Sequence, residues 1–508
     1  MNIHKYLFCY IIFLGGSMLF NSYIFIFVFL PVCLLFYFIL HHFKQQKLAK
    51  LSLLIFSLYF YAYFEINYLF IMVASIIINY GLSCFLLSVN LNNRGKYRKL
   101  IFIFGLVINI GVLFYFKYFN FFLNSISSIF IFKFSAREIL LPLGLSFFTF
   151  QQLSYVIDSY RQKVPKYSIL DYSLFVSFFP QLIAGPIVLH NEIIPQFEKK
   201  KNWVFNYENF SLGLFAFSRG IAKKVLIADT FGGVSDWGFA NAFSLDTMNL
   251  IVTVLCYTIQ IYFDFSGYCD MATGLAKMFN IDLPINFDSP YKSLTINEFW
   301  KRWHMTLTRF LRTYIYFPLG GNRKGKMRTY FNLLVTFLIS GLWHGANITF
   351  IIWGLLHGIA IMLNKAFSSK MNKIHPAALW ILTFSFVAVT WVYFRANTLA
   401  EANMIIDKIL SFNFQPIHSQ LIASFEMPII GSLLDLGANI STIFYSIKIR
   451  LFPIVLIIIL LSLLVFDNTN EKMLRFKPTF LQSLSTTALL FFSIISLSGV
   501  AVFLYFNF

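Results

Sequence analysis

The longest uncharged run of this chain places strict limits on its fold. From Tyr330 to Asn364 there is no Lys, Arg, Asp or Glu, and His344 lies near the middle of the run. About 20 apolar residues are enough to cross the hydrocarbon core of a bilayer as a helix. A titratable ring inside such a run lies in hydrocarbon or in a cavity within the protein, and residues of this kind are usually functional. His344 is therefore the first candidate for a catalytic residue.

Similar apolar runs recur along the whole chain and predict its fold class. Of the 508 residues, 58% are hydrophobic and only 12% are charged, which is too little charge to cover a soluble protein of this size. The runs are too long and too continuous for barrel strands, and backbone polar groups in lipid must be satisfied internally. We expect an all-α, polytopic integral membrane protein with about ten to twelve transmembrane helices. Re-entrant or short interfacial helices are expected around a central passage.

The basic residues predict the orientation of the chain in the membrane. The formal net charge is +19, and lysines and arginines cluster at 44–50 and at 94–99, between successive predicted spans. Both clusters fall on one side, which the positive-inside tendency makes cytoplasmic. Most of this charge sets topology and attracts anionic membrane lipids. We expect no nucleic-acid partner, because no soluble basic domain is present to hold one.

A second histidine lies in the part of the chain that is richest in polar chemistry. Thr295 and Glu298 have the spacing of a capping box, so the sequence predicts that a helix begins there. On that helix His304 lies on an apolar face, while Arg302 and Arg309 lie on the opposite, cationic face. The sequence therefore predicts one helix that separates an imidazole from a row of arginines.

The cationic face belongs to a longer basic segment. From Lys292 to Arg328 there are nine Lys or Arg residues against one acid, Glu298. This concentration suits a polyanionic ligand at the cytoplasmic surface. An amphipathic helix that lies on anionic lipid explains the arginines about as well, but it does not explain His304.

Within this basic segment, the residue spacing of Gly320–Met327 resembles that of a phosphate-binding P-loop. The glycine and lysine spacing fits, but Met327 stands where a P-loop needs Ser or Thr to hold magnesium, and an aromatic helix precedes the segment instead of a strand. Nucleotide hydrolysis is therefore not expected. Gly320 and Gly321 instead predict a turn whose backbone amides can approach a phosphate or a lipid headgroup.

Pairs of glycines four residues apart offer a structural explanation for two histidines: Gly341 and Gly345 beside His344, and Gly354 and Gly358 beside His357. Small residues at this spacing let membrane helices pack closely. From the spacing alone, His344 is equally a catalytic residue or a hydrogen-bonded packing element. His357 we interpret as structural.

Two upstream segments, Pro142–Gln151 and Phe178–Ile187, interrupt apolar runs with proline, glycine and amide residues. Broken helices at membrane depth are tolerated only where they line protein or a cavity. Together with four carboxylates these segments suggest a polar passage, although each acid is equally explained as a solvated cap or a lysine partner. The acids are Asp158, Asp229, Asp264 and Asp270.

Two common chemistries have no support in the sequence. The chain contains no G-x-S-x-G elbow, so a serine hydrolase is not predicted. No His-rich cluster is present, and the five cysteines are scattered without metal-ligand or paired spacing, so we expect no metal. The cysteines read as small core hydrophobes.

Two Trp-His segments, Trp300–His304 and Leu342–Gly345, form a highly specific pair. Further segments of the same kind are Met18–Tyr23, Pro142–Gln151, Phe178–Ile187, Tyr262–Tyr268, Pro284–Gly321 and Phe394–Ala396. Over nearly its whole length the chain resembles the membrane-bound O-acyltransferase family, in the bacterial branch typified by alginate and peptidoglycan O-acetylation proteins. Lys301 stands where the family usually has arginine, and residues 1–17 precede the usual family start.

The resemblance implies transfer of an acyl group from cytoplasmic acetyl-CoA to an acceptor hydroxyl on the far side of the membrane. His344 matches the catalytic histidine of the family and His304 its second histidine. An acyl thioester is already activated, so the enzyme must chiefly deprotonate a hydroxyl and hold both substrates close, which suits a shielded imidazole. The residues expected to meet the phosphates of coenzyme A are Arg302, Arg309, Arg312, Asn322 and Arg323, with Lys324 beside them.

The expected domains are an N-terminal extension at 1–17, a catalytic core at 18–396, and an interhelical region with C-terminal transmembrane helices at 397–508. The expected location is the bacterial inner membrane, and the expected acceptor is peptidoglycan, with a periplasmic O-acetyltransferase as partner. The alternatives are O-acetylation of alginate or another exopolysaccharide, a polysaccharide or lipid transporter, and a non-catalytic scaffold. A transporter does not need paired Trp-His motifs, and we see no inverted repeats.

Overall fold

The computed structural model describes residues 18–88, 95–130, 136–371, 373–425, 438–497 and 503–504. Every regular element within these ranges is helical, which confirms the all-α prediction. The N-terminal extension at 1–17 lies outside the described residues.

In the first part of the chain, a π-helical turn at Phe25–Phe29 directly precedes the first α-helix. A second π-helical turn, Phe114–Tyr118, continues α4 directly into α5. The helices are α1 (Leu30–His42), α2 (Gln46–Ala62), α3 (Ile66–Ser88), α4 (Gly95–Leu113), α5 (Phe119–Phe130), α6 (Leu145–Tyr160), α7 (Ile169–Ser177), α8 (Phe179–Leu182) and α9 (His190–Glu198).

The second part of the chain forms the centre and the far side of the bundle. π-Helical turns join α10 to α11 at Lys223–Ala228 and follow α14 at Arg312–Tyr316. The helices are α10 (Tyr207–Ala222), α11 (Asp229–Ala240), α12 (Thr247–Met278), α13 (Ile296–Arg302), α14 (Met305–Leu311), α15 (Gly325–His344), α16 (Ile348–Ala366), α17 (Ser368–Met371), α18 (Pro376–Arg395), α19 (Leu399–Leu410), α20 (Ser419–Ala423), α21 (Ala438–Val465), α22 (Thr469–Leu474) and α23 (Phe480–Ile495).

Several of these helices are long and apolar enough to cross a membrane, so the polytopic prediction is confirmed. Shorter apolar helices at Leu451–Val465 and Phe480–Ile495 follow near the C-terminus. The count of ten to twelve spans stays a prediction. The six candidate spans among the described residues are Phe25–His42, Ile66–Ser88, Gly95–Ser127, Thr247–Met278, Ile348–Ala366 and Pro376–Arg395.

The centre of the bundle is α12, which is buried along most of its length against α10 and α11. Small residues allow this close approach. A Cβ atom on Gly213 would lie 2.6 Å from the carbonyl oxygen of Gly274, and one on Gly220 would lie 2.6 Å from that of Gly267. Backbones that approach this closely gain van der Waals contact, which drives helix association in lipid.

The same device joins α15 to α16, as the glycine spacing predicts. A Cβ atom on Gly341 would lie 2.3 Å from the carbonyl oxygen of Phe350, and one on Gly354 would lie 2.4 Å from that of Phe337. Close packing through these glycines holds the end of α15, and His344 with it, against α16.

Of the two upstream segments, Phe178–Ile187 contains a broken helix, as predicted, whereas Pro142–Gln151 contains the start of the continuous helix α6. Gly144 precedes α6 with a left-handed φ of +70°, and Phe178 separates α7 from α8. A Cβ atom on Gly144 would lie 2.8 Å from the carbonyl oxygen of Leu182, so the start of α6 packs against the end of α8. The glycine is required here by both its backbone conformation and the space available.

The segment that carries His304 is not the continuous helix that its sequence predicts. The predicted helix start is confirmed, because the Thr295 hydroxyl accepts a hydrogen bond from the Glu298 amide at 3.2 Å, while the Glu298 side chain accepts from the Leu294 amide and not from that of Thr295. However, α13 ends at Arg302, and His304 has a left-handed φ of +46°. The prediction that one helix carries His304 and the arginines on opposite faces is therefore wrong, since a left-handed residue cannot continue a right-handed helix.

Tertiary hydrogen bonds replace the helical ones at this break. The Met305 amide donates to the backbone oxygen of Asn286 at 3.0 Å, and the Asp288 amide donates to that of Arg302 at 2.9 Å. Nothing in the local periodicity of the sequence identifies this partner, which lies about 15 to 20 residues upstream. The break turns His304 into the residue that precedes α14.

Candidate active site

His344 is the last residue of α15 and is 2% exposed. Aromatic rings surround it edge-on, with ring centroids 4.9 Å away at Trp343, 5.1 Å away at Trp353 and 5.1 Å away at Phe394. The imidazole is thus shielded from bulk water on these sides, as the long uncharged run of the sequence predicts.

His304 is fully buried and is held by a side chain that the sequence analysis did not identify. The Oδ1 atom of Asn286 lies 3.1 Å from Nδ1 of His304 and accepts hydrogen bonds from the amide and hydroxyl of Thr306. Because this oxygen only accepts, the contact assigns the proton of His304 to Nδ1 and the lone pair to Nε2. Asn286 therefore fixes both the orientation and the tautomer of the ring.

The fold brings the two histidines together across 40 residues of sequence. Their ring centroids are 6.4 Å apart, and the rings are tilted by 58°. Trp343 and Phe147 flank His304, at 5.9 Å and 6.5 Å between ring centroids. The two Trp-His segments thus meet at one buried location, where they also contact Phe147 of the Pro142–Gln151 segment.

A lysine inside the membrane-spanning region holds the end of the helix that carries His344. Lys117 lies in the π-helical turn between α4 and α5, and its Nζ atom donates to the Trp343 carbonyl oxygen at 2.5 Å. The neighbouring Tyr118 hydroxyl donates to the Leu342 carbonyl oxygen at 2.7 Å. The last carbonyls of a helix have no intrahelical partner, and a cation there is favoured by the helix dipole.

Sequence analysis did not identify Lys117 as a functional residue. The available signal is a single charge within an aromatic stretch, Phe114–Phe122, where an unpaired lysine would be costly. Its partner, the end of α15, is more than 200 residues away and is visible only in the fold.

We predict that Lys117→Met lowers acyl transfer by about tenfold, because a charge-assisted hydrogen bond of about 1.5 to 3 kcal/mol no longer holds the end of α15. Initial rates of the purified variant in proteoliposomes measure this. The matched control is Lys99→Met, an exposed lysine earlier in α4, which should keep wild-type activity. Equal rates for both variants would contradict a positioning role for Lys117.

His357 has the hydrogen bonds of a structural residue. Its Nδ1 atom accepts from Trp300 Nε1 at 3.2 Å, and its Nε2 atom lies 3.1 Å from the Thr390 hydroxyl. That hydroxyl donates to the Val387 carbonyl oxygen, so Nε2 of His357 is the donor. Both ring nitrogens are therefore occupied in linking α13, α16 and α18, which supports the structural interpretation.

A cavity of about 640 Å³, which we call the vestibule, lies one aromatic layer away from His344. Phe350 and Phe394 belong to its wall, and the Phe394 ring also contacts His344. The vestibule lies where α15 and α18 end, opposite to the basic segments at which both helices begin. Its polar wall consists of Lys224, Asp229, Asp236, Gln260, Asn347, Arg395 and Asn397.

Two of the arginines expected at coenzyme A already have carboxylate partners. Arg302 contacts Glu298 at 3.0 Å and Asp288 at 3.3 Å. Arg309 forms a bidentate ion pair with Glu192 and donates a hydrogen bond to the Ile187 carbonyl oxygen at 3.0 Å. Donor phosphates would have to compete with these carboxylates, so the role of Arg302 and Arg309 in binding the donor stays a prediction.

The other expected donor-site residues are exposed. Arg312, Asn322 and Arg323 all lie on the surface between α14 and α15. Gly320 and Gly321 form the predicted turn with positive φ values of +109° and +57°, and no strand precedes it in the described chain. These residues are accessible to a polyanion, which makes them the stronger part of the predicted donor site.

Three of the four carboxylates named from the sequence have a lysine partner, one of the alternatives left open. Asp229 and Asp264 both contact Lys224, at 2.8 Å and 2.6 Å, and Asp270 contacts Lys223 at 2.6 Å. Both lysines lie in the π-helical turn between α10 and α11. These acids therefore contribute to the packing of the bundle.

The fourth carboxylate, Asp158, lies near the end of α6. It accepts a hydrogen bond from the Tyr314 hydroxyl at 2.7 Å and lies 3.8 Å from the Arg161 guanidinium. It thus links α6 to the turn after α14. A central passage lined by these four acids stays a prediction.

Comparison with known proteins identifies the family. The model of the membrane-bound O-acyltransferase family matches residues 56–400. The chain is 44% identical over 426 residues to a peptidoglycan O-acetyltransferase of Helicobacter pylori, covering 78% of this chain and 80% of that protein. It is 39% identical over 402 residues to a probable alginate O-acetylase of Pseudomonas aeruginosa, covering 78% and 75%.

The chain belongs to the membrane-bound O-acyltransferase family. A teichoic acid D-alanyltransferase of Streptococcus thermophilus is more distant, at 24% identity over 247 residues, 46% of this chain and 59% of that protein. Membership confirms the resemblance noted from the Trp-His segments and makes the chain an acyltransferase. It favours the enzyme over the transporter and the non-catalytic scaffold.

Proposed function

We propose that this acyltransferase moves acetyl groups from cytoplasmic acetyl-CoA across the bacterial inner membrane for O-acetylation of peptidoglycan, through a periplasmic O-acetyltransferase. The observation that carries the proposal is the buried pair His304 and His344, placed between an exposed basic surface and the vestibule. No single packing role explains why two imidazoles from distant segments meet in one shielded place.

The chemistry assigned to the pair is proton transfer. His344 takes the proton of the acceptor hydroxyl as its oxygen attacks the thioester carbonyl carbon, and the thiolate of coenzyme A leaves and receives a proton. His304, oriented by Asn286, holds the reacting group, and its Nε2 lone pair can accept a proton or a hydrogen bond. Exclusion of bulk water by the surrounding aromatic rings protects the activated acyl group from hydrolysis.

The donor is assigned to the basic side of the protein. Arg312, Arg323 and Lys324 are exposed beside the glycine turn and can meet phosphate groups, for which arginine forks are well suited. The start of α15 adjoins these residues, and its end is His344, so the helix spans about 30 Å between the two. The pantetheine arm and the acetyl group would cover part of this distance.

The acceptor is assigned to the vestibule. Its wall is largely polar, it adjoins the aromatic layer over His344, and it faces away from the basic loops that the positive-inside tendency makes cytoplasmic. A hydroxyl that enters from the vestibule meets Phe350 and Phe394, and the Phe394 ring contacts the imidazole of His344.

The acceptor polymer is proposed from the relatives. The protein named as a peptidoglycan O-acetyltransferase is 44% identical to this chain, and the one named as a probable alginate O-acetylase is 39% identical. Peptidoglycan is therefore preferred, with alginate or another exopolysaccharide as the alternative. A relay partner is proposed because the chain contains no G-x-S-x-G elbow of its own for work on a polymer.

The test is reconstitution in two steps. In proteoliposomes with acetyl-CoA on the side of the basic loops, the protein alone should turn over the donor slowly and leave peptidoglycan unmodified. Addition of an extracytoplasmic serine-type O-acetyltransferase should produce O-acetylated muropeptides, measured by mass spectrometry.

A deletion strain provides the matching measurement in cells. Loss of O-acetyl groups from peptidoglycan, with exopolysaccharide unchanged, is the expected result, and restoration requires the wild-type gene. Efficient polymer acetylation by this chain alone would remove the relay from the proposal. Unchanged acetylation of peptidoglycan in the deletion strain would remove peptidoglycan as the acceptor.

A further inference from the structure

A second cavity lies between α10, α12 and the C-terminal hairpin of α21, α22 and α23; Lys223 lines it, whereas the neighbouring Lys224 lines the vestibule. The volume of the second cavity is about 340 Å³, which is within the range of about 300 to 1,000 Å³ typical of small-molecule sites. We call it the hairpin cavity.

The hairpin cavity has one polar end and one apolar wall. The polar end carries three cations, Arg219, Lys223 and Lys472, together with the side chains of Asn468 and Thr469. The apolar wall is built by side chains from four helical segments. Those side chains are Leu226, Ile227, Phe263, Leu463 and Leu489.

Two of the three cations have no carboxylate within ion-pair distance in the part of the chain that the structure describes. Lys223 is paired with Asp270 at 2.6 Å, whereas Arg219 and Lys472 form no such pair among the described residues. The wall also contains Asp467, but this carboxylate accepts from Arg475 at 2.9 Å. The three cations Arg219, Lys223 and Lys472 face two carboxylates, Asp270 and Asp467, so the polar end carries an excess of one positive charge.

The surroundings of Arg219 and Lys472 favour the binding of an anion. The Nη1 atom of Arg219 is buried and has no hydrogen-bond partner among the described residues, and the guanidinium stacks on Phe215 at 3.7 Å. Burial, followed by the charges of Arg219 and Lys223, lowers the pKa of the Lys472 ammonium group, against an opposing effect of Asp467. A bound anion would satisfy the guanidinium and offset this repulsion.

One edge of the hairpin cavity lies at the connection between two apolar helices, where a membrane interface is expected. Phe466 is 64% exposed at the end of the apolar helix α21, and the charged residues of 467–477 follow directly before the apolar helix α23. Asn468 bonds to Asp288 at 2.9 Å, which ties this connection to the side of the protein that carries Arg302. A ligand that enters here arrives from the lipid phase with a charged group at the interface.

We infer that the hairpin cavity binds an anionic phospholipid, with its phosphate at Arg219 and Lys472 and the start of an acyl chain along the wall of Leu226, Phe263 and Leu463. Free phosphate satisfies the cations but leaves the apolar wall uncovered. A zwitterionic lipid brings an ammonium group that the excess positive charge disfavours. The cations thus favour the phosphate of an anionic lipid, and the apolar wall favours its acyl chain.

The test is lipid binding to the purified full-length protein, measured by native mass spectrometry during titration with phosphatidylglycerol or phosphatidylcholine. The wild type should prefer phosphatidylglycerol, and Arg219→Gln with Lys472→Gln should weaken its binding by about tenfold or more. The matched control is Lys365→Gln with Lys370→Gln, two exposed lysines, which removes the same charge elsewhere and should leave binding unchanged. Size-exclusion profiles of all variants establish that they are folded.

A further variant and a competitor separate a lipid from a free anion. Leu463→Trp fills the apolar wall without changing charge, and it should weaken phosphatidylglycerol binding to a similar extent. Inorganic phosphate at millimolar concentration should not displace the lipid. Displacement by phosphate, equal binding of the two lipids, or full binding by the glutamine double variant would each overturn the assignment.

Discussion

Replacement of His344 is expected to have the largest effect on activity. His344→Ala or His344→Gln should lower acetyl transfer by at least about 100-fold, because general-base catalysis contributes about 10² to 10⁴ to a rate. Glutamine retains polarity and most of the volume beneath Phe394 and Trp353, so this variant separates loss of proton transfer from loss of packing. Initial rates with acetyl-CoA in proteoliposomes, at matched amounts of folded protein, give the measurement.

The matched controls are the other histidines of the same region. His357→Gln alters a buried ring whose two nitrogens bond to Trp300 and Thr390, so it should affect stability more than rate. His375→Ala removes an exposed ring that accepts a hydrogen bond from the Ala377 amide at the start of α18, so it should leave the rate unchanged. His304→Gln should reduce the rate, but less completely than replacement of His344. A rate for His344→Gln within a few-fold of wild type would assign His344 to packing.

The largest loss of stability is expected for Lys224→Met. Lys224 is 2% exposed and pairs with Asp264 at 2.6 Å and Asp229 at 2.8 Å, and Asp264 is itself 1% exposed. Removing the lysine leaves a buried carboxylate without its counter-charge, which costs about 3 to 5 kcal/mol. Thermal unfolding of the purified protein in detergent should show a clearly lower midpoint.

The control uses an ion pair of equal length at the surface. Lys277 also contacts a carboxylate at 2.6 Å, but its partner Asp282 has a side chain that is 70% exposed. Lys277→Met should lower stability by about 1 kcal/mol or less, since exposed pairs contribute little. Adding Asp264→Asn to Lys224→Met should recover part of the loss. Equal midpoints for the two single variants would contradict the argument from burial.

The location of His304 shows where sequence reasoning from local periodicity ends. The Thr295 cap predicts correctly that a helix begins there, because a cap depends on residues three positions apart. The same periodicity predicts wrongly that the helix continues through His304. The backbone of the segment at 286–288 supplies hydrogen bonds at the break, and no local pattern encodes a partner so far upstream.

The basic residues show the same difference between what the sequence reveals and what only the fold reveals. Sequence composition identifies Arg302 and Arg309 as part of a basic segment, but only the fold shows that Asp288 and Glu192 lie against them. A charge is read from the sequence, whereas its partner depends on which helices are neighbours.

The sequence alone determined the fold class and the family, and it identified the two candidate histidines. Hydropathy and short motifs carry this information because they are local properties that do not depend on how the chain is arranged in space. The close contact of α15 and α16 was also encoded locally, in glycines four residues apart. Tertiary structure alone decided that the histidine rings lie 6.4 Å apart, that Asn286 sets the tautomer of His304, and that Lys117 holds the end of α15. These contacts join residues 18 to 226 positions apart in the chain, and such distances are closed only by packing of the whole bundle.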